Sequence, residues 1–398
     1  MSIGNCICRD AIRYNGQCNW LGTENEIIGN HPRPYYAALK GTWYSGTSGI
    51  AWFLAHLHSV TGDKCHRTTA LGAIAQALQT TDKVQRGKLG FHSGLIGIAF
   101  SAIEVGRKLH KDNLVEQGFR LLHQLYELPE TEYTLDVIDG CAGAIPAIIR
   151  LDGKNKDSIL NELLRKMGDY LLKQSLTEEK GISWNTMPQG SVASLTGYAH
   201  GAGGISVGLL ELYNHTQEEK YKNAALAGFA YEDSCFDAKQ KNWPDFREDN
   251  TLQRHSGSRH CSSAWCHGAP GIGLSRFRAY ELTQNEVFRQ AGQIAVDTTM
   301  DFFSLKQMGN FSLCHGLFGN ADLLLYASEI TGDNTLIEKV KQTANEGIQK
   351  FERRKIPFPN GKQNGFNSPD MMLGMAGIGY AFLRIYDRVQ FKSILIIH

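Results

Sequence analysis

Cysteine and histidine stand side by side ahead of a glycine turn twice in this chain, as Cys266–His267 in AWCHGAPGIG and as Cys314–His315 in SLCHGLFGN. Each pair leads directly into Gly-x-x-Gly. Thiolate and imidazole are preferred zinc ligands, and three protein ligands with one open position is the catalytic arrangement. Cys266, Cys314 and His315 make such a set, for one zinc ion per chain, provided the fold brings them to one place. Two other readings stand beside it: a closed four-ligand site that also uses His267, and cysteines that are simply buried small residues. A zinc ion already holding two thiolates is electron-rich and serves to hold an incoming thiol as a nucleophilic thiolate. The chemistry indicated is attack of sulfur on an electrophile.

What brings distant residues together is a repeat written in glycine. The chain has 42 glycines in 398 residues, above the background of roughly 7%. Gly-x-x-Gly recurs at Gly46/Gly49, Gly94/Gly97, Gly140/Gly143, Gly201/Gly204, Gly268/Gly271, Gly316/Gly319 and Gly374/Gly377. Each copy opens an apolar stretch of helical character, such as GISVGLLELY or GNADLLLYASEI. Between copies lie amphipathic segments, among them HRTTALGAIAQAL, SILNELLRKMGDYLL and TLIEKVKQTANEGIQKF, with the spacing of surface helices. Period-two runs of β-branched residues are nearly absent, so no sheet is expected. The pattern predicts an all-α fold, an α/α toroid in which seven inner helices, each entered through a GxxG turn, are ringed by outer amphipathic helices. An open solenoid would have more polar end repeats than GTWYSGTSGIAWFLAHL and LGMAGIGYAFLRIY. The domain is read as residues 1–398, with 1–40 as a lead-in.

In a ring the seven turns gather at one face. The residues just before the first glycines are Ser45, Ser93, Asp139, His200, His267, His315 and Leu373. Asp139 and His200 are then placed for proton transfer, His200 being better matched to neutral pH. Taken singly, Asp139 also reads as a helix N-cap and His200 as a satisfied polar residue facing the ring. Ser45 and Ser93 read as caps. The polar segment 232–263 reads as a long loop placed to cover a substrate.

A formal net charge of +1 gives no footprint for nucleic acid or an anionic membrane. The start MSIGNCICRD lacks a secretory apolar run, and no stretch of eighteen apolar residues occurs, so the expectation is a cytoplasmic protein with no transmembrane segment. Nine cysteines scattered through a long chain do not make a disulfide framework. GISVG at 204–208 matches a hydrolase motif, but it lies within a helical repeat, so Ser206 reads as a helix residue. The closing FKSILIIH is too short to span a bilayer and is expected to pack on the toroid.

SAWCHGAPGIGL and SLCHG, together with GYAHGAGGI, DVIDGCAGAI and LKGTWYSGTSGIAWFLAHL, resemble the lanthionine synthetase C-like cyclases, and more closely the cyclase half of class II lantibiotic synthetases. The likeness covers nearly the whole chain. It implies an α/α toroid that binds zinc through Cys266, Cys314 and His315. It also implies an activity: a cysteine of a precursor peptide is added to dehydroalanine or dehydrobutyrine, giving a thioether ring. By the same resemblance His200 is the acid/base histidine, which protonates the enolate, and Asp139 the catalytic aspartate. Some members carry tyrosine where this chain has His267, and an arginine where it has Ser262; Arg259, or Arg247, is the candidate replacement. The partner implied is a dehydrated precursor peptide. Since 398 residues from Met1 leave no room for a dehydratase, a separate one acts with the chain or the peptide arrives already dehydrated. The alternatives are addition of glutathione to dehydroamino acids and a non-catalytic peptide-binding toroid.

Overall fold

The computed structural model describes all residues except 29–30, 85–88, 154–156, 248–259 and 363–367. Seven helices begin at the GxxG turns: Thr47–Thr61, Leu95–Leu109, Cys141–Asp152, Ala202–Thr216, Ala269–Thr283, Leu317–Thr331 and Met375–Tyr386. Each packs on the next, and the last packs on the first, so they close a ring. Their first turns are buried almost throughout, which is why these segments are apolar on every side rather than striped. Six amphipathic helices alternate with them on the outside: Lys64–Leu78, Asp112–Leu125, Ser158–Lys173, Glu219–Ser234, Glu286–Asp301 and Asn334–Gly347. The N-terminal helix Ser2–Arg9 fills the remaining outer position, against Met375–Tyr386 and Lys64–Leu78. The α/α toroid is therefore the observed architecture.

The connections follow from local chemistry. Inner helices end in a left-handed residue, as at Gly62, Gln217 and Gly332. Several outer helices then start on an Asx cap: Asp63 accepts from Cys65 N–H, Asp157 from Ile159 and Leu160 N–H, and Asp333 from Thr335 N–H. Each pair is thus a tight αα-hairpin.

The second glycine of the motif permits a close approach. A Cβ on Gly97 would lie 1.8 Å from the Phe91 carbonyl oxygen, and at the other six repeats the carbonyl oxygen six residues earlier would stand 1.8–2.2 Å away. The turn therefore folds its own strand of chain flat against the helix start.

Main-chain hydrogen bonds then tie the seven turns into a closed belt. Tyr44 N–H donates to His92 C=O at 2.7 Å, Ser93 N–H to Ile138 C=O at 3.2 Å, Val137 N–H to Ala199 C=O at 3.1 Å and Ala199 N–H to Cys266 C=O at 3.2 Å. Cys266 N–H donates to Cys314 C=O at 3.4 Å, Cys314 N–H to Met372 C=O at 3.0 Å and Met372 N–H back to Tyr44 C=O at 3.0 Å. Turns hundreds of residues apart are held side by side by this belt.

Three differences from the sequence expectations have physical causes. Short antiparallel hairpins occur where no sheet was expected: Ile12–Tyr14 with Gln17–Asn19, Leu21–Ile28 with His31–Ala38, and Leu176–Thr177 with Ile182–Ser183. The first turns on Asn15-Gly16, both at positive φ, a dipeptide that favours such turns and was legible. Ser93 does not cap a helix; the cap is Gly94, and the Ser93 hydroxyl donates to Asp139 Oδ1 instead. The segment 232–263 begins inside the helix Glu219–Ser234. Its described remainder is anchored by buried Asn242, whose Oδ1 accepts from Ala269 N–H at 2.8 Å and so caps the fifth inner helix.

The closing segment behaves as expected. Phe391 and Ile394–Ile397 are buried; Leu395 C=O accepts from Trp265 Nε1–H at 2.9 Å, and Lys392 C=O from Tyr380 Oη–H at 2.9 Å. Ser206 is buried in the helix Ala202–Thr216, as expected. No helix among the described residues is long and apolar enough to cross a membrane.

Candidate active site

The belt makes Cys266 and Cys314 neighbours, each two residues before the first glycine of its turn. Each thiol is the strongest influence on the acidity of the other. Cys314, helped by the charges of Arg247 and His200, holds the Cys266 thiol below its ordinary value against the opposing effect of burial. Cys266, together with burial, drives Cys314 well above its own. Both sulfurs sit where inner helices begin, and the positive ends of those dipoles favour thiolate.

His315 follows Cys314 but is exposed, with Nε2 at 3.1 Å from Gly361 C=O. A metal-binding histidine characteristically donates its second ring N–H to such a carbonyl, which leaves the other nitrogen, here Nδ1, with its lone pair. Two adjacent soft sulfurs and a histidine oriented in this way fit zinc. Among the described residues no three His, Cys, Asp or Glu side chains are already arranged around a common point.

His200, on the fourth turn, donates its Nδ1–H to Asp136 Oδ2 at 2.6 Å. Burial pushes this imidazole down, but the hydrogen bond and charge of Asp136, with Cys266 and Asp139 behind it, outweigh burial and raise His200 above its ordinary value. Asp136 is the residue that sequence reading missed. It opens DVIDG, three residues before Asp139, and its Oδ1 also accepts from Asp139 N–H at 2.7 Å. Asp139 lies alongside, its carboxylate on Ser93. A second carboxylate in one motif was the available signal.

The turn carrying His200 is held from behind by Glu232. Its Oε1 accepts from Gly197 N–H at 2.6 Å and Gly203 N–H at 3.1 Å, and Arg276 pairs with it at 2.9 Å, both ends fully buried.

His267 is buried and stacks on His200, ring centroids 5.9 Å apart at 28°. Burial pushes it down to about 3, so it stays neutral. Its Nδ1 is 3.9 Å from Asp245, a buried carboxylate gripped by Arg247. Arg247 Nε lies 3.0 Å from both Asp245 oxygens, and its charge acts on both cysteines. Arg259 lies outside the described residues. Tyr44, also missed, stands two residues before Gly46, the slot the two cysteines occupy in their own turns.

Residues 37–396 match the family profile of lanthionine synthetase C-like proteins, and the chain belongs to that family. It is 24% identical over 389 residues to the lacticin 481/lactococcin biosynthesis protein LcnDR2 of Lactococcus lactis subsp. lactis, covering 92% of this chain and 38% of that protein. It is 24% identical over 310 residues to the nisin biosynthesis protein NisC of the same organism, covering 70% of this chain and 71% of that one. The chain thus spans well under half the length of the first relative and most of the second. Among solved structures nisin cyclase superposes with a TM-score of 0.66 at 17% identity, over 89% of this chain and 90% of that one. At that identity the likeness bears on the fold.

Proposed function

We propose that this chain is a zinc-dependent cyclase that adds cysteine thiols of a dehydrated precursor peptide to dehydroalanine or dehydrobutyrine, forming lanthionine and methyllanthionine rings. The observation that carries the reading is the adjacency of two thiols, on turns joined by Cys266 N–H to Cys314 C=O at 3.4 Å, to a histidine–carboxylate pair: His200 acts electrostatically on Cys266 while bonded to Asp136 at 2.6 Å. Cys266, Cys314 and His315 would hold the metal, which supplies the acidity that keeps an incoming thiol as thiolate near neutral pH.

The residues of the chain supply the rest. In the addition the peptide sulfur bonds to Cβ of the dehydro residue, the C=C electron pair moves to give an enolate, and a proton returns at Cα. The thiol proton lost and the Cα proton gained balance, so product mass equals substrate mass. His200, raised by Asp136, is the proton donor to Cα. His267, neutral and stacked on His200, limits the ring's freedom; Arg247, fixed by Asp245, places a positive charge that acts on both cysteines and favours the anionic sulfur and the developing enolate. Dehydration of the peptide precedes this addition.

Incubating the zinc-loaded protein with a dehydrated, cysteine-containing peptide tests the reading. Free thiol should disappear at unchanged mass. A mass gain of one glutathione, when glutathione is supplied, would instead mark intermolecular thiol addition. Persistence of both thiol and dehydro residue would leave a peptide-binding toroid.

A further inference from the structure

A groove of about 660 Å³ opens beside the first two turns. One wall is the segment 38–42; the other is the end of the outer helix Lys64–Leu78 and the turn after it, through Gln76, Thr80 and Lys83. Both walls are fixed before anything binds. The Asn19 side chain clamps Leu39, donating from Nδ2 to its C=O and accepting its N–H on Oδ1, each at 3.1 Å, and Thr47 N–H donates to Lys40 C=O at 2.9 Å. The walls meet at Gly41, where a Cβ would stand 2.8 Å from Thr80 Oγ1 and 3.0 Å from the Ala77 carbonyl oxygen. The volume falls within the roughly 300–1,000 Å³ that ligand pockets occupy.

Its lining favours an anionic peptide. The ionisable side chains in it are Lys40 and Lys83, both exposed and neither with a carboxylate partner among the described residues. Thr42 also lines it; only 8% exposed, its hydroxyl bonds to no described residue, and a buried polar group of this kind calls for a partner. The groove is continuous with the candidate active site. Ser93 belongs to its lining and donates through its hydroxyl to Asp139 Oδ1, while Asp139 N–H is held by Asp136, the partner of His200.

We propose that this groove is a subsite for the peptide substrate: it takes a stretch flanking the reacting residues, with a Glu or Asp side chain of that stretch set between Lys40 and Lys83 and a polar main-chain group on Thr42. The proposal rests on the cyclase reading above, which supplies the peptide. Exposed ion pairs are individually weak, so the two lysines together favour an acidic stretch by about threefold to tenfold, less as salt is added.

Fluorescein-labelled dehydrated peptides that carry either Glu or Gln on both flanks, with alanine in place of the cysteine, read binding by anisotropy without reaction. The wild type should bind the Glu peptide about threefold to tenfold more tightly at low salt. Lys40→Gln/Lys83→Gln should erase that preference and leave the Gln peptide bound as before. Lys341→Gln/Lys350→Gln, which removes the same charge from an exposed outer surface, should retain it. Thr42→Val should weaken both peptides alike, about threefold, without lowering the unfolding midpoint. A Glu preference absent from the wild type or surviving the loss of both lysines, or unchanged affinity in Thr42→Val, would overturn the subsite. Thiol consumption from the corresponding cysteine peptides is read separately. A wild type that consumes no thiol yet keeps a lysine-dependent Glu preference would overturn the cyclase reading and leave the subsite standing.

Discussion

Asp136 Oδ2 lies 2.6 Å from His200 Nδ1, and this contact raises the imidazole against a burial that alone would lower it. The sign has a kinetic consequence. If protonated His200 donates to the enolate, activity falls as pH rises through the raised value. Asp136→Asn keeps a hydrogen bond but removes the charge, so burial prevails and the alkaline limb of the rate profile moves to lower pH, with a rate loss of about 100-fold near neutrality. Stability follows the same direction: the pair's contribution is complete below the unfolded-state histidine value and is lost as pH rises through the folded one. Asp139→Asn, which touches Ser93 rather than the imidazole, should move the limb less. Equal displacement by the two substitutions would remove the special standing of Asp136.

Gly361 is expected to matter through His315. A Cβ there would stand 3.0 Å from His315 Nε2 and 2.8 Å from Ser312 Oγ. Gly361→Ala should therefore push the ring off its carbonyl partner and weaken zinc binding about tenfold or more, with little change in helical content. Chelator competition reads the affinity; zinc held as tightly as in the wild type would show that the Gly361 carbonyl does not orient the ligand.

Gly97→Ala tests the turn rather than the chemistry. With the Phe91 carbonyl 1.8 Å from the added Cβ, the turn has to move, at a cost of about 1–3 kcal/mol or more. Denaturant unfolding measures it, and a loss under about 0.5 kcal/mol would mean that the close packing of the turn is not what selects glycine.

The repeat was the most legible part of this chain, since glycine pairs and alternating apolar and amphipathic segments lead directly to the ring. Cys266 and Cys314 were legible because cysteine and histidine are rare and their placement recurs. Asp136 and Tyr44 were not: apart from the rare cysteines, the turns are compared at the residue directly before each glycine, whereas Tyr44 stands two and Asp136 four residues before its own. The belt instead aligns the residues two before it, among them Tyr44, His92, Cys266, Cys314 and Met372. The pairing of His200 with Asp136 depends on how the third and fourth turns stand against each other, through Val137 N–H and Ala199 C=O. No local spacing encodes that. Nor was it legible that Glu232, on an outer helix, would supply the buried carboxylate that holds the His200 turn.

The central claim is that turns from distant parts of the chain hold one metal through Cys266, Cys314 and His315. Zinc content of the purified protein, wild type against Cys314→Ala, tests it most directly. About one zinc per chain in the wild type, and essentially none in a Cys314→Ala protein of unchanged helical content, is the predicted result. Full zinc in the variant, or a wild type that stays zinc-free when the metal is supplied, would contradict it.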